Sequence, residues 1–312
     1  MLNITAMDSR DKNAATVTVN QFKALGRYAN YCLEDEEMFR NYIISLKKRD
    51  VNKINLPKIK SLLTNSWNTE KLIRYTSDNF NNHSDGFVTQ WIFPQAYYSV
   101  FNSTLAFFKV VGHDEYSHVE VRKKLADIAS KGKYPNKLCI WGDGAKEGMK
   151  VHGLECDKSN FQPLSLLCDD MNDIQCHIHS FVKATREIFL LEKRDDSNIK
   201  KLFKNKNGTP KTRLTPSEWQ TISDKVQKTS WLCLLYRKRI KANYQDIDTF
   251  LNIDFELSTL LISIVDLVNI LNLVNEINIY NSIGDRLREW SVDRFDFANE
   301  RIDKISDLFK SN

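Results

Sequence analysis

Basic side chains that can bind phosphate are concentrated in two segments of the chain. Residues 237–241 include Arg237, Lys238, Arg239 and Lys241, and the tract 200–213 includes Lys201, Lys204 and Lys206. A guanidinium group binds phosphate oxygens through paired hydrogen bonds, and clustered lysines bind a nucleic-acid backbone by releasing its counterions. Both segments are therefore candidate nucleic-acid contacts. A solvated helix end and a flexible surface loop are the alternatives.

Histidine is the side chain best suited to exchange protons near neutral pH, and the chain has six. His118 follows Ser117 at a predicted helix start, from which its imidazole could reach a cleft. The alternative is a ring that caps the helix or packs at the edge of the core. His113 lies in the preceding loop, where a solvated surface position is predicted.

Two further patterns contain ligand-type residues at unsuitable spacing. Cys168 and the run Cys176-His177-Ile178-His179 supply zinc-ligand types, but helical ligands share a face only when they are three or four residues apart. The glycine-rich run 142–148 has neither the P-loop nor the dinucleotide-binding pattern. We therefore predict no metal site and no cofactor.

Composition places the chain among ordinary globular proteins. Its 312 residues carry a formal net charge of +5, an excess that is compatible with nucleic acid but does not require it. Six cysteines without CxxC pairs, and a polar N-terminus without a signal-like apolar run, predict reduced thiols in the cytoplasm. Asp266, Glu276 and three asparagines interrupt the apolar stretch 253–280, which predicts a buried helix rather than a membrane span.

The scarcity of turn residues indicates long helices, since the chain has only ten glycines and six prolines. Apolar periodicity predicts helices over residues 20–48, 58–79, 92–111, 117–130, 164–193, 216–243, 254–282 and 285–310. Thr215 and Glu218 are spaced as a capping box at one of these helix starts. Five glycines between 132 and 153 mark an irregular segment with a short strand near 138–141. We predict an all-α bundle.

Two fragments of the chain together resemble the HEPN superfamily. The first is Ala96-Tyr97-Tyr98 with Phe101, followed by Gly112 and by Ser117-His118, and the second is Arg239 with Ala242-Asn243-Tyr244-Gln245-Asp246. HEPN proteins are small helical bundles found in prokaryotic toxin–antitoxin and antiviral systems. Many are metal-independent ribonucleases, whereas others bind RNA or nucleotides without cleavage or partner a nucleotidyltransferase.

The resemblance implies a domain organisation and a set of partners. Residues 56–133 and 214–284 would form the HEPN-like antiparallel core, with residues 134–213 as an insertion. Residues 1–55 would be an N-terminal helical extension, and residues 285–312 an additional C-terminal helix. The implied partners are RNA, an antitoxin or effector protein, and a second copy of the chain in a homodimer, with no membrane.

The chain departs from the nuclease motif of that family, in which an arginine is followed after four to six residues by a histidine. Arg239 is instead followed by Tyr244, and Asn243 stands where the family more often has aspartate. A tyrosine with a pKa near 10 is a poor base at neutral pH. In a working site, Arg239 would hold the phosphate, and Tyr244 or His118 would move protons. The alternatives are RNA binding without cleavage, and a structural network between Arg239 and Tyr244.

Three hypotheses follow for the function. The first is an RNA-targeting protein, specifically a metal-independent endoribonuclease toxin or antiviral effector. The second is a non-catalytic module that dimerises, or binds a protein such as a nucleotidyltransferase, through the apolar face of residues 255–279. The third is a helical protein of another kind, in which the aromatic stripe from Tyr97 to Phe108 only packs the core.

Overall fold

The structure is a computed structural model that describes residues 9–80, 87–114, 117–165, 170–205, 207–245 and 257–311. Within these residues the fold consists of 12 helices and one small antiparallel sheet, with 73% in helix. The α-helices are α1 (Ser9–Leu33), α2 (Glu36–Ser45), α3 (Leu56–Phe80), α4 (Phe87–Val110), α5 (His118–Ser130), α6 (Met171–Asp195), α7 (Ser197–Lys200), α8 (Pro216–Ser223), α9 (Trp231–Ile240), α10 (Leu257–Ile283), α11 (Arg286–Ser291) and α12 (Asp296–Lys310). The prediction of a mostly helical chain with an irregular insertion is confirmed.

Helix α10 is the central element of the fold. It packs against α1, α3 and α4, and its apolar side chains are buried, among them Leu260, Ile264, Leu271 and Ile277. Its length and composition would allow it to cross a membrane, because its most apolar window has a mean hydropathy of 2.0. However, 67% of that window is buried inside the protein. In the described part of the chain, α10 is therefore a core helix, as predicted.

Helix α1 crosses α10 at close range. Its Phe22 and Leu25 are fully buried and belong to the same hydrophobic cluster as the apolar residues of α10. Gly26 permits this approach, because a Cβ atom at that position would lie 2.6 Å from the Cα atom of Ser263. The segment 1–55, predicted to be an extension, therefore supplies one of the helices that build the core.

Three predicted helices are shorter or divided in the structure. The predicted helix over residues 20–48 stops at the end of α1, because Asp35 caps a new helix by accepting a hydrogen bond from the Met38 amide (2.9 Å). The predicted helix over residues 285–310 is divided into α11 and α12, and Asp293 adopts a positive φ of 62° between them. The predicted helix over residues 164–193 begins only at α6.

A small sheet joins the insertion to the chain segment directly before α9. The strands are β1 (Trp141–Asp143), β2 (Lys150–His152) and β3 (Thr229–Ser230), in the order β2-β1-β3. Gly142 pairs with Val151 on one side and with Thr229 on the other. Strand β3 divides the predicted helix over residues 216–243 into α8 and α9, so that prediction was wrong. The capping box of Thr215 and Glu218 is confirmed at the start of α8.

A disulfide bond ties the insertion to α6. The sulfur atoms of Cys156 and Cys176 are 2.14 Å apart, and the Cα atoms are 5.0 Å apart. The prediction that all the cysteines are reduced thiols is wrong for this pair, whereas Cys32, Cys139 and Cys233 are free and Cys168 lies outside the described residues. Because such bonds are uncommon in the cytoplasm, a cytoplasmic location stays a prediction.

Among the described residues, the histidines near this disulfide do not form a metal-binding cluster with other ligand-type side chains. His177 is buried on α6 against the ring of Phe161 (centroids 4.9 Å apart). Its Nε2 lies 3.8 Å from a carboxylate oxygen of Asp173. In the part of the chain that the structure describes, no group of three or more histidine, cysteine, aspartate or glutamate side chains is arranged to hold a metal ion.

Candidate functional site

Three helices bring aromatic and basic side chains together at one place, which we call the Arg239 site. Its members are Tyr97 and Tyr98 from α4, His118 and Arg122 from α5, and Tyr236 and Arg239 from α9. Helix residues three or four apart share a face, which places His118 beside Arg122 and Tyr236 beside Arg239. Two of the predicted site residues, His118 and Arg239, therefore lie in the same cluster.

His118 is held at the first position of α5 by a capping box and by aromatic packing. The Ser117 hydroxyl accepts a hydrogen bond from the Glu120 amide (3.1 Å), and the Glu120 carboxylate accepts one from the Ser117 amide (3.2 Å). The imidazole Nδ1 lies 2.7 Å from the Tyr97 hydroxyl oxygen. The ring centroid lies 4.4 Å from that of Phe101. These contacts fix the position and orientation of the ring.

The surroundings favour a neutral imidazole. Burial lowers the pKa of His118 below its usual value, and the positive charges of Arg239 and Arg122 lower it further. Burial raises the pKa of Tyr97, so that its hydroxyl stays protonated at neutral pH. Within the described residues, Nε2 of His118 makes no hydrogen bond. The ring therefore has one nitrogen bonded to Tyr97 and one left for another partner.

Arg239 is oriented by aromatic rings rather than by an acidic partner. Its guanidinium carbon lies 4.8 Å from the ring centroid of Tyr98, 5.4 Å from that of Tyr97 and 5.8 Å from that of Tyr236. Its Nε is buried and has no hydrogen-bond partner, and no described residue forms an ion pair with it. Cation–π contacts hold a guanidinium group without using its hydrogen-bond donors. The group is thus positioned with its donors unused.

Arg122 is a buried member of the site that contacts both Tyr236 and His118. Only 5% of its surface is exposed, and its guanidinium carbon lies 3.7 Å from the ring centroid of Tyr236. Its Nε donates a hydrogen bond to the backbone oxygen of His118 (3.1 Å). Arg122 therefore connects the first turn of α5 to the ring that packs on Arg239, and its Nε donor is engaged in doing so.

The other basic residues of α9 point elsewhere, because successive helix residues are turned by about 100°. Lys238 is 4% exposed, and its Nζ donates to the Thr18 hydroxyl of α1 (2.8 Å). Lys238 thus points into the core, and its predicted contact with RNA stays a prediction. Arg237 faces α6, where it donates to the Thr185 hydroxyl (3.2 Å). Of the contacts described for this run, those of Arg239 are the ones with the aromatic rings of the cluster.

Residues 242–245 of the second HEPN-like fragment lie on a π-helical turn, Lys241–Gln245, directly after α9, and Asp246 lies outside the described residues. Lys241 and Asn243 are half-buried on this turn. Turns of this kind are frequent at functional sites. The side chain of Tyr244 lies outside the described part of the chain. Its predicted participation in catalysis, or in a network with Arg239, stays a prediction.

The second basic segment contains a hydrogen-bonded turn. Phe203 packs against a small apolar cluster that includes Ile199 of α7, and the Asn205 backbone amide donates to the backbone oxygen of Thr209 (2.8 Å). Lys201 and Lys204 are exposed, and Lys206 lies outside the described residues. None of the described hydrogen bonds or ion pairs joins this segment to α4, α5 or α9. Its predicted contact with RNA stays a prediction.

Sequence reasoning did not predict four members of the Arg239 site. Arg122 and Tyr236 were not recognised, although their spacing from His118 and Arg239 places each pair on one helix face. Tyr97 and Tyr98 were noted in the HEPN-like fragment, and Tyr97 also in the aromatic stripe, but neither was predicted as a site residue, because contacts between helices leave no signal in the spacing of apolar residues. Residues three or four positions from His118 and Arg239 lie on the same helix faces, so this spacing would have identified Arg122 and Tyr236.

Comparison with models of protein families, with curated protein sequences and with solved structures finds no match to this chain. The resemblance to the HEPN superfamily therefore depends on the two fragments and enters below only as part of a proposal.

Proposed function

We propose that this chain is a HEPN-like, RNA-targeting protein that binds a backbone phosphate at Arg239 and cleaves the RNA without a metal ion. The observation that carries the proposal is the Arg239 guanidinium itself. Three tyrosine rings orient it, a neutral imidazole lies in the same cluster, and no described acidic group neutralises it. A phosphodiester would supply the missing negative charge.

Phosphate suits the unused donors of Arg239 for geometric reasons. The guanidinium group is planar and always charged, and it matches two phosphate oxygens with two parallel hydrogen bonds. Its contact with Tyr97 and Tyr98 holds the plane in place before a ligand arrives, which reduces the entropy lost on binding. In cleavage, the same group would stabilise the extra negative charge on the phosphorus oxygens.

His118 would provide the acid–base chemistry that the missing motif histidine provides elsewhere in the family. In the tautomer with its proton on Nδ1, the ring donates to the Tyr97 oxygen and keeps a lone pair on Nε2. Nε2 takes the proton of a ribose 2′-hydroxyl while the 2′-oxygen forms a bond to phosphorus. The bond from phosphorus to the 5′-oxygen breaks, and that oxygen takes a proton from water. The products are a 2′,3′-cyclic phosphate and a 5′-hydroxyl.

An RNA cleavage assay in the presence of EDTA tests this function. The full chain is incubated with transfer, ribosomal and messenger RNA, beside the variants Arg239→Gln and Arg237→Gln. Loss of the phosphate-binding cation should slow cleavage by about a hundredfold. Arg237→Gln is the matched control, since it removes the same charge from the same helix on the side that faces α6. Absence of cleavage by the unmodified chain at high concentration would rule out the nuclease proposal.

A non-catalytic module is the second candidate, favoured by the absence of the arginine-to-histidine motif. The docking face predicted for it lies on α10, whose apolar side chains are mostly buried in the core. Among the described residues of that helix, Ile262 is the large apolar side chain that is exposed (52%). Any antitoxin, effector or second copy of the chain would have to bind another surface. Retention of RNA without cleavage, together with a stoichiometric protein in native purification, would favour this candidate.

A further inference from the structure

A groove of about 490 Å³ lies between α3 and α4, next to the Arg239 site. Its walls include Asn65, Asn68 and Leu72 from α3 and Trp91, Gln95 and Tyr98 from α4. Large apolar side chains are unusually open here, with 58% of Trp91, 49% of Leu72 and 36% of Tyr98 exposed. An exposed indole beside a concave surface is typical of a binding site.

The polar groups of this groove are neutral, and only some of them are engaged: Thr69 and Asn102 donate to the backbone oxygens of Asn65 (2.8 Å) and Tyr98 (2.9 Å). None of its lining residues carries a charge. In the described part of the chain, the side chains of Asn65 and Asn68 make no hydrogen bond, and Oε1 of Gln95 is buried without a partner. Amide side chains offer both donors and acceptors. The groove therefore combines a flat aromatic face with several unused amide groups.

Tyr98 connects the groove to the Arg239 site. The same ring lines the groove and lies 4.8 Å from the guanidinium carbon of Arg239. A ligand that reaches both places would have a flat, uncharged, hydrogen-bonding part in the groove and an anionic part at Arg239. A nucleotide within an RNA strand has both parts: its base is flat, uncharged and hydrogen-bonding, and its phosphate is anionic.

We propose that the groove binds one unpaired nucleobase of a single-stranded RNA whose neighbouring phosphate lies at Arg239. This proposal rests on the proposed function and assigns a substrate class to it, namely single-stranded rather than duplex RNA. The base stacks on Trp91, and its edge forms hydrogen bonds with the amides. In a duplex, the faces and edges of the bases are occupied by stacking and pairing.

An apolar protein surface fits the groove less well than a base. Covering the groove with apolar side chains would bury the amides of Asn65 and Asn68 without hydrogen-bond partners and would leave the buried Oε1 of Gln95 unsatisfied. Each unpaired group of this kind is unfavourable. The neighbouring Arg239 would also be left without an anion. The chemistry of the lining thus favours the nucleobase.

Binding of an uncleavable RNA by the full chain tests this assignment. The probe is a fluorescent 2′-O-methyl oligoribonucleotide, used single-stranded and as a duplex, with anisotropy as the measurement. Loss of stacking in Trp91→Ala should weaken single-strand binding about tenfold and leave duplex binding unchanged. Ile262→Ala, which removes a similarly exposed apolar side chain from α10, is the matched control, and circular dichroism checks that both variants fold.

The outcomes separate the two proposals. If Trp91→Ala binds like the unmodified chain while Arg239→Gln binds poorly, the base-binding groove is overturned and the phosphate site stands. If the unmodified chain binds neither probe, both proposals fail. If Trp91→Ala leaves RNA binding unchanged but abolishes a dimer seen by sedimentation velocity, the groove is a protein interface and the assignment is wrong.

Discussion

Two arginines in this chain occupy opposite electrostatic situations. Arg301 of α12 is buried and donates to both carboxylate oxygens of Glu276 (2.8 and 2.7 Å) and to Glu70 (2.6 Å). Arg239 of α9 is held between tyrosine rings and has no acidic partner among the described residues. The first guanidinium is neutralised by carboxylates of the fold, whereas the second is oriented by aromatic rings and, in our proposal, binds a phosphate.

The Arg301 network shows what the fold does with charges that serve stability. The Trp67 indole donates to Glu276 (2.8 Å), and Arg74 and Asn272 donate to Glu70 (each 2.8 Å at the shortest). Burial alone would raise the pKa of Glu70, but Arg301 and Arg74 outweigh it and hold that pKa below its usual value. The Glu70 carboxylate thus stays charged, and both carboxylates are hydrogen-bonded in the core. Arg239, by contrast, has no acidic partner among the described residues.

The largest expected effect is the loss of the Arg301 charge. Arg301→Met leaves the carboxylates of Glu70 and Glu276 buried without their main cation. Breaking a buried ion pair in this way should lower the free energy of unfolding by about 3–5 kcal/mol. Urea denaturation followed by circular dichroism measures the change.

Arg239→Met is the matched control for that measurement. Its loss leaves no carboxylate behind among the described residues and removes only the cation–π contacts, so the free energy of unfolding should fall by about 1 kcal/mol. If both variants lose several kcal/mol, Arg239 is a structural residue like Arg301, and the contrast between the two sites is false.

The sequence predicts most of the helices and part of the Arg239 site, because their signals are local. The capping boxes at Ser117 and Thr215 lie within four residues of chain, and the helix that carries Arg239 begins with clear apolar periodicity. His118 and Arg239 were both predicted as site residues. Their meeting was suggested only by the HEPN resemblance, since nothing in the spacing of either helix shows how α5 and α9 pack.

Features that depend on distant pairing could not be predicted. Arg301 and Glu70 are separated by 231 positions, so neither residue indicates the other in the sequence. Strand β3 has only two residues and exists because it pairs with β1, which overrides the helical periodicity around it. The disulfide joins cysteines 20 positions apart with no motif to mark them. In each case the partner, and not the local composition, determines the structure.

A smaller effect is expected from the cap that positions His118. Ser117→Ala removes the acceptor for the Glu120 amide and should cost about 1 kcal/mol of stability. Thr215→Ala removes the equivalent acceptor at the start of α8, a helix that carries no member of the Arg239 site, at a similar cost. Both variants should unfold at lower urea, but only Ser117→Ala should reduce RNA cleavage. Equal cleavage by the two variants would show that the position of His118 does not matter.

The smallest expected effect is a change in the pKa of His118. This pKa depends in part on the positive charge of Arg239, so it tests whether the two side chains interact. Burial, followed by the charges of Arg239 and Arg122, lowers the pKa of this imidazole below its usual value of about 6.5. Because the proposed base must be neutral, cleavage should persist at pH values where an ordinary histidine is protonated, and should be lost only as the pH falls through the lowered pKa.

NMR titration of the imidazole measures this pKa without any RNA, with His118→Gln used to assign the resonance. Arg239→Gln removes one of the two positive charges that disfavour protonation, so the pKa of His118 should rise toward its usual value. Arg237→Gln, which alters a guanidinium bound to Thr185 on α6, should leave the pKa unchanged. If His118 titrates near 6.5 in every variant, Arg239 does not act on the imidazole, and the two side chains do not form one site.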